Sequence, residues 1–368
     1  MTKIMSAFSI YREQRYFRSL DGVRFFSILA VIWHHSVPAN LPEVFSRGFL
    51  GVDMFFVLSG YLIVTLLLRE KTKNNQSISL KNFYIRRALR IFPVYFGVLF
   101  ALSMIYGLVK VNDPDSEQFF SILPIYLVFL ANWSLVHAAN LGIYWSLATE
   151  EQFYIVWPVI EKLCRPKTIL FILGIFLIIN QAVNFGYLNR FFMWLYQQNT
   201  PVDLHILDTT FTPICLGVLL AHALNNKTTF NYLSRLFCLP WTSIAVGLLL
   251  LVLISLFSGD ISGLPRLVIQ LTMCLWLLTL VIREDHYLKP LMSFPLIKRL
   301  GQISYGMYVY HMFALHIVRE LLARYGIEIN GVLFIAGLFL TALIAEVSYR
   351  FYESPFLTLN KRFRAIKS

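Results

Sequence analysis

The chain has 368 residues, 57% of them hydrophobic and only 14% charged, with a formal net charge of +12 and a mean hydropathy of +0.64. A soluble domain carries roughly a quarter charged residues, so this composition excludes a water-soluble globular fold. The positive balance sits mainly in short segments between apolar runs, where it meets anionic lipid head groups, and no basic soluble groove remains for nucleic acid.

The apolar runs are about 17 to 25 residues long, each enough to cross a hydrocarbon core of about 30 Å as a helix. In chain order the predicted spans are 21–38, 48–68, 91–109, 143–161, 168–186, 207–224, 239–258, 264–282, 302–322 and 331–352. The predicted fold is therefore an all-α polytopic bundle of about ten transmembrane helices. An eleventh run, 119–133, is short and interrupted by Pro124, which leaves it between a short span and a re-entrant or interfacial segment.

Charge bias separates these cases. With ten crossings, one side holds Lys3, Arg12, Arg15 and Arg18, then Lys71 to Arg90, Lys162 with Arg165 and Lys167, Lys227 with Arg235, Arg283 to Arg299, and Lys361 to Lys367. The other side holds scattered cations such as Arg47, Lys110, Arg190 and Arg266, plus Arg319 and Arg324. Crossing at 119–133 would invert every later loop. Both termini are thus expected in the cytoplasm, with 113–142 as an outer excursion, and 1–368 as a single transmembrane domain. Within it, 1–19 is a cytoplasmic N-terminal segment and 355–368 a basic cytoplasmic tail. The N-terminal segment lacks the pattern of a cleaved secretory signal, so no cleavage is expected. Cys164, Cys215, Cys238 and Cys274 show no metal spacing, and neither a metal site nor a disulfide framework is expected.

Ionisable groups inside hydrocarbon cost several kcal/mol unless paired or wetted, so each one within a span is a candidate functional residue. The first span carries Asp21 and Arg24 near one end and His34 and His35 further along. Eleven positions separate Arg24 from His35; at 1.5 Å each that is about 16 Å, and three turns take about 10.8 residues, so the two share a face while His34 is rotated by about 100°. Snorkelling of Arg24 to head groups is the purely structural alternative. The second span places Asp53 near its outer end, with Ser59 and Gly60 at mid-depth. Gly60 suits close helix packing, and Ser59 can bond back to its own helix.

The segment NFYIRRALRIFPVYF carries Arg86, Arg87 and Arg90, with Pro93 to bend the chain. Three guanidiniums there can grip phosphates bidentately, as the diphosphate and ribose phosphate of coenzyme A require; topological anchoring produces similar clusters. The fourth span opens YWSLATEEQFY, and Glu150 or Glu151 facing the bundle could act as a base or orient a histidine. In QISYGMYVYHMF, Tyr305, Tyr308 and His311 follow at i, i+3 and i+6, as pocket residues or as interhelical hydrogen-bond partners.

Taken in order, LDGVR, the Arg24 to His35 spacing, GVDMFFVLSGYLI, RRALRIFPVY, WSLATEEQFY, PICLGVLLA, ISYGMYVYH and FYESPF resemble the acyltransferase-3 family of integral membrane acyltransferases over essentially the whole chain. The resemblance implies ten or more membrane helices and transfer of an acyl group, usually acetyl from acetyl-coenzyme A as co-substrate, to a hydroxyl on an extracytoplasmic saccharide. It also implies that His35 is the central catalytic residue and Arg24 its companion. The chain runs only about fifteen residues past the last predicted span, so no fused SGNH-type hydrolase domain is expected.

The expected partners are acyl-coenzyme A, a saccharide or lipid-linked saccharide acceptor, membrane lipid and a second copy of the chain, and the expected setting is a bacterial inner membrane. Direct attack with His35 as base and an acyl-imidazole relay both stay open. A proton-coupled exporter or flippase of a glycolipid would also place His, Glu and Arg in its spans, and is the alternative function.

Overall fold

Each of the ten apolar runs falls mainly on one helix. In order these are Ser19–Ser36, Leu50–Lys73, Leu80–Met104, Tyr144–Leu163, Pro166–Asn184, Thr212–Asn225, Thr242–Leu256, Leu264–Val281, Ser304–Arg324 and Asn330–Ser348. The structure, a computed structural model, describes residues 7–14, 16–37, 41–74, 76–138, 140–327 and 329–363, and among them there is no β-strand. Lys3, Arg15, Lys367 and the ends of the two terminal segments fall outside the described residues.

Five stretches are long and apolar enough to cross a membrane: Leu50–Lys73, Leu80–Val109, Pro166–Asn184, Leu264–Val281 and Asn330–Phe363. Their outward side chains are large and apolar; Phe100, Phe171, Ile178 and Phe339 are 67–71% exposed. A surface of that kind suits hydrocarbon rather than water.

Local chemistry moves some boundaries. The third run extends back to Leu80, where the Ser79 hydroxyl accepts the Asn82 N–H at 3.4 Å as an N-cap, and the helix continues through Pro93. The run 207–224 is broken. Its first residues form the short helix His205–Thr209, Thr210 turns into the left-handed region at φ 58°, and Thr212–Asn225 then starts with Pro213 in its first turn. The 119–133 run gives the helix Pro114–Leu127, 14 residues long, closed by Phe129 at φ 57° and a 3₁₀ turn at Ala131–Trp133. At 1.5 Å per residue that helix is about 21 Å long, the same as Thr212–Asn225.

The chain divides into two compact units. The first comprises Met1–Gln76, Cys164–Leu188 and Thr209–Ser304; the second comprises Ser77–Leu163, Asn189–Asp208 and Tyr305–Ser368.

In the first unit, Leu50–Lys73 packs against Thr212–Asn225, Ser19–Ser36 and Leu264–Val281. The contact with Thr212–Asn225 is made backbone to backbone. A Cβ added at Gly60 would collide with the Ile214 carbonyl oxygen, and one at Gly217 with the Val57 carbonyl and the Tyr61 nitrogen. Apolar lipid gives no hydrophobic drive to helix pairing, so such close van der Waals contact supplies it. Beyond this crossing, the buried hydroxyls of Tyr61 and Tyr11 meet at 3.0 Å, and Tyr11 brings the helix Ala7–Glu13 with it.

In the second unit, Leu80–Met104 packs against Ser354–Asn360 and Tyr144–Leu163. Its core is aromatic: Tyr95 lies 4.6 Å from Phe129 and 4.8 Å from Tyr144 between ring centroids, and its hydroxyl donates to the Tyr126 carbonyl at 2.8 Å. The Arg86 guanidinium donates to the Phe363 carbonyl at 2.8 Å and ties down the last described turn.

Gly217→Val forces the Thr212–Asn225 backbone away from Leu50–Lys73 and should cost at least about 1–3 kcal/mol, the usual range for overpacking. Thermal unfolding in detergent checks this, with Gly174→Val, whose Cβ would meet nothing within 4 Å, as the tolerated control.

Candidate functional site

The first unit holds Asp21, Arg24, His34, His35, Asp53 and Ser59. Asp21 is buried at the start of its helix; its Oδ1 accepts from Arg24 Nη1 at 2.7 Å, and its other oxygen accepts from the Tyr16 hydroxyl. The i, i+3 spacing makes this pair local. It sets the Arg24 guanidinium, which keeps partial exposure, on the helix face that returns to His35 three turns later.

The two adjacent histidines have different surroundings. His34 Nδ1 lies 3.0 Å from the Ser46 carbonyl, and its ring packs at 5.4 Å against Phe49, so it fastens the segment that leads into the second helix. His35 Nδ1 lies 3.0 Å from the carbonyl of Val31 in its own helix. A carbonyl only accepts, so Nδ1 carries the proton and the lone pair of the neutral imidazole belongs to Nε2. His35 is half-buried.

Asp53 is fully buried. Arg266 holds it bidentately, Nε to Oδ2 and Nη2 to Oδ1 at 3.0 Å each, Gln270 Nε2 donates to Oδ2 at 3.0 Å, and the Thr209 hydroxyl donates to Oδ1 at 3.2 Å. The Arg266 guanidinium also covers Phe49, 5.1 Å from the ring centroid. Asp53, Arg266, Phe49 and His34 thus form one continuous contact chain that ends beside His35. Ser59 is buried one residue before the Gly60 crossing.

Arg266 and Arg47 are the residues that sequence reasoning missed, since both count there as scattered loop cations. Both are buried. Arg47 donates to the carbonyls of Ile254 at 2.6 Å, Gly259 at 2.9 Å and Phe257, and so closes the C-terminal end of Thr242–Leu256. The available signal for Arg266 is its place with Gln270, one turn on, in the apolar helix LPRLVIQL.

The second unit holds Arg86, Arg87, Arg90, Glu150, Glu151, Tyr305 and His311. Arg87 lies between Phe83 and Tyr154, 5.8 and 5.5 Å from their ring centroids, and the Tyr154 hydroxyl donates to Glu150 Oε2 at 3.0 Å. Arg87 is therefore joined to Glu150 through one aromatic ring. Glu151 is buried, whereas Arg90 is exposed.

Tyr305 donates to the Ile91 carbonyl at 2.9 Å, one residue beyond Arg90. Tyr308 meets Ser146 at 2.6 Å, and fully buried His311 donates from Nδ1 to the Tyr308 carbonyl at 2.6 Å. These bonds gather Tyr144–Leu163 and Ser304–Arg324 around polar groups.

With this geometry in view, the comparison with known proteins is decisive: a family model described as "Acyltransferase domain" matches residues 17–350. The chain belongs to the acyltransferase-3 family. It is 30% identical over 373 residues to a Listeria monocytogenes protein named peptidoglycan O-acetyltransferase OatA, covering 93% of this chain and 56% of that one. It is 27% identical over 377 residues to a Staphylococcus aureus O-acetyltransferase OatA, covering 93% and 57%. The chain thus spans less than three-fifths of the length of these relatives. No solved structure matches it significantly.

Two outcomes follow for this acyltransferase-3 chain. Asp53→Ala leaves Arg266 buried without its counter-charge and should cost about 3–5 kcal/mol, while replacing both partners by apolar residues should recover much of that; thermal unfolding of single and double variants measures it.

The second outcome concerns His286, which is buried with Nε2 2.8 Å from the Ser19 hydroxyl at the start of the Arg24 helix. Burial first, then the Lys289 and Arg283 charges, push it down to about 4. An unfolded histidine takes its proton near pH 6.5, so the unfolded chain is protonated before the native one. Stability should be full above about pH 6.5, fall as the pH drops from there towards 4, and level off below. Melting temperature across pH reads this slope, and His286→Gln should flatten it.

Proposed function

We propose that the chain is a membrane O-acyltransferase that moves an acyl group, acetyl in the first instance, from acyl-coenzyme A on the cytoplasmic side to a hydroxyl of a cell-surface saccharide or lipid-linked saccharide. The observation that carries this reading is the His35 ring, whose Nδ1 is committed to the Val31 carbonyl so that Nε2 is the basic nitrogen. Acyl transfer to an alcohol needs such a base, or a nucleophile of the same kind.

In the direct route Nε2 takes the acceptor's hydroxyl proton, the oxygen bonds to the thioester carbonyl carbon, and the coenzyme A thiolate leaves. In the relay Nε2 itself displaces the thiolate to give an acyl-imidazolium; the acceptor oxygen then bonds to the acyl carbon as the C–N bond breaks, and the hydroxyl proton passes to solvent. Arg24, held by Asp21 on the His35 face but about 16 Å from it along the axis, supplies a fixed positive charge for a distant part of the donor. Exposed Arg90 suits the donor phosphates, and Arg86 and Arg87, held by the Phe363 carbonyl and by two aromatic rings, add positive charge behind it. Glu150 and Glu151 supply carboxylates for proton handling.

Ten crossings with both termini in the cytoplasm put the arginine cluster on the donor side, and the bacterial relatives support an inner-membrane setting. The peptidoglycan acetyltransferase among them supports a cell-wall or similar glycan as acceptor.

The test uses purified protein, labelled acetyl-coenzyme A and glycan acceptors. His35→Ala should abolish transfer, by about 10²-fold or more, without loss of folded protein. His34→Ala should keep much of the activity, because His34 holds the Ser46 carbonyl rather than presenting a base. Full transfer by His35→Ala would overturn the mechanism. Acyl label trapped on His35 in the absence of acceptor would select the relay.

A further inference from the structure

The second unit contains an open surface cleft, half polar and half apolar, outside the residues discussed so far. It has a volume of about 460 Å³ and is lined by Met193, Trp194, Leu195, Gln197, Gln198 and Asn199. That size falls in the ordinary range for small-ligand pockets.

The cleft is built on a capped helix end. In Asn189–Leu195 and the turn after it, the Gln198 N–H donates to the Met193 carbonyl at 2.9 Å and the Gln197 N–H to the Trp194 carbonyl at 3.3 Å. This is the paired bonding of a Schellman cap, whose left-handed position glycine usually fills. Here Gln197 fills it at φ 53°. A side chain in that region costs roughly 1–2 kcal/mol, which the two cap hydrogen bonds help to offset.

The chemistry of the lining is specific. Trp194 is 74% exposed although neighbouring Phe192 is buried and stacks on Trp133 at 6.5 Å and 21°. Three consecutive amides, Gln197, Gln198 and Asn199, each offer both donors and an acceptor, and no charged side chain is in the lining. An uncharged ring with an apolar face and many hydroxyls satisfies both halves: the indole takes the C–H face and the amides take the hydroxyls. A phosphate would find no cation in this lining.

The cleft is also rigidly referred to the helix of Glu150 and Glu151. The Tyr196 hydroxyl donates to the Trp133 carbonyl at 2.8 Å, and Gln152, the residue after Glu151, bonds Asn132 in both directions at 2.8 and 3.1 Å and the Phe129 carbonyl at 2.7 Å.

We infer that this cleft is a saccharide subsite, with Trp194 as the stacking platform and Gln197, Gln198 and Asn199 as hydroxyl partners. The inference rests on the acyltransferase reading, deepens it, and places the acceptor glycan on the segment that the ten-crossing topology puts outside.

The test measures binding of a β-1,4-linked N-acetylglucosamine tetramer to the full chain in nanodiscs by calorimetry, alongside acetyl transfer to the same glycan. Trp194→Ala should weaken binding and raise the saccharide KM roughly tenfold, Trp194→Tyr should restore both, and Trp194→Leu should not. Gln198→Ala should weaken binding with Trp194 intact. Restoration by Leu would mean that Trp194 supplies only apolar bulk and would overturn the subsite, as would no saturable binding by the unaltered protein. Trp194-dependent binding without any transfer would keep the subsite and sink the acyltransferase reading. Transfer with an unchanged saccharide KM in Trp194→Ala would do the reverse.

Discussion

A fully buried carboxylate has to be answered by protein, and Asp53 shows how completely this chain does so. Both of its oxygens are occupied, by Arg266, Gln270 and Thr209. Together with Asp53 they come from three separate stretches of sequence, so the cluster fixes where the second helix, the turn before Thr212 and the start of Leu264–Val281 must meet. Replacing such a pair by apolar residues is often neutral for stability; its value here lies in register. Arg266 also covers Phe49, and Phe49 supports His34, so the buried pair defines the surroundings of the residue next to the proposed catalytic base.

The same rule of internal satisfaction separates support from chemistry among the polar groups. Arg47 spends its guanidinium on the carbonyls at a helix end, and His34 spends its Nδ1 on Ser46. His35 instead uses a carbonyl of its own helix, which fixes the tautomer without consuming Nε2 in that bond. Arg90 is exposed while Arg86 and Arg87, one turn back, are engaged by the Phe363 carbonyl and by two aromatic rings. Within a cluster that looks uniform in sequence, the three arginines therefore have distinct duties.

Whatever depended on local spacing was legible in the sequence. The ten apolar runs lie on helices, the Asp21 to Arg24 pair follows from i, i+3, and the motif order pointed to the family that the comparison found. Features set by distant partners were not. Nothing near Asp53 announces Arg266, and the positive-inside count treats Arg47 and Arg266 as loop charges because it counts charge without depth. The break at Thr210 inside an apolar run was also hidden, since periodicity reports apolar faces and does not report a left-handed turn.

The long sequence gap inside the Asp53–Arg266 pair also shapes how the protein is made. The two residues lie 213 positions apart. At about 5–20 residues per second, a ribosome needs roughly ten to forty seconds to deliver the arginine after the aspartate has left the tunnel. During that interval the second helix carries a carboxylate without its final partner, so the early hairpin cannot settle in the lipid as a finished piece. Completion of this pair has to wait for late synthesis, and a nascent chain that ends before Leu264 still carries the Asp53 carboxylate without its arginine.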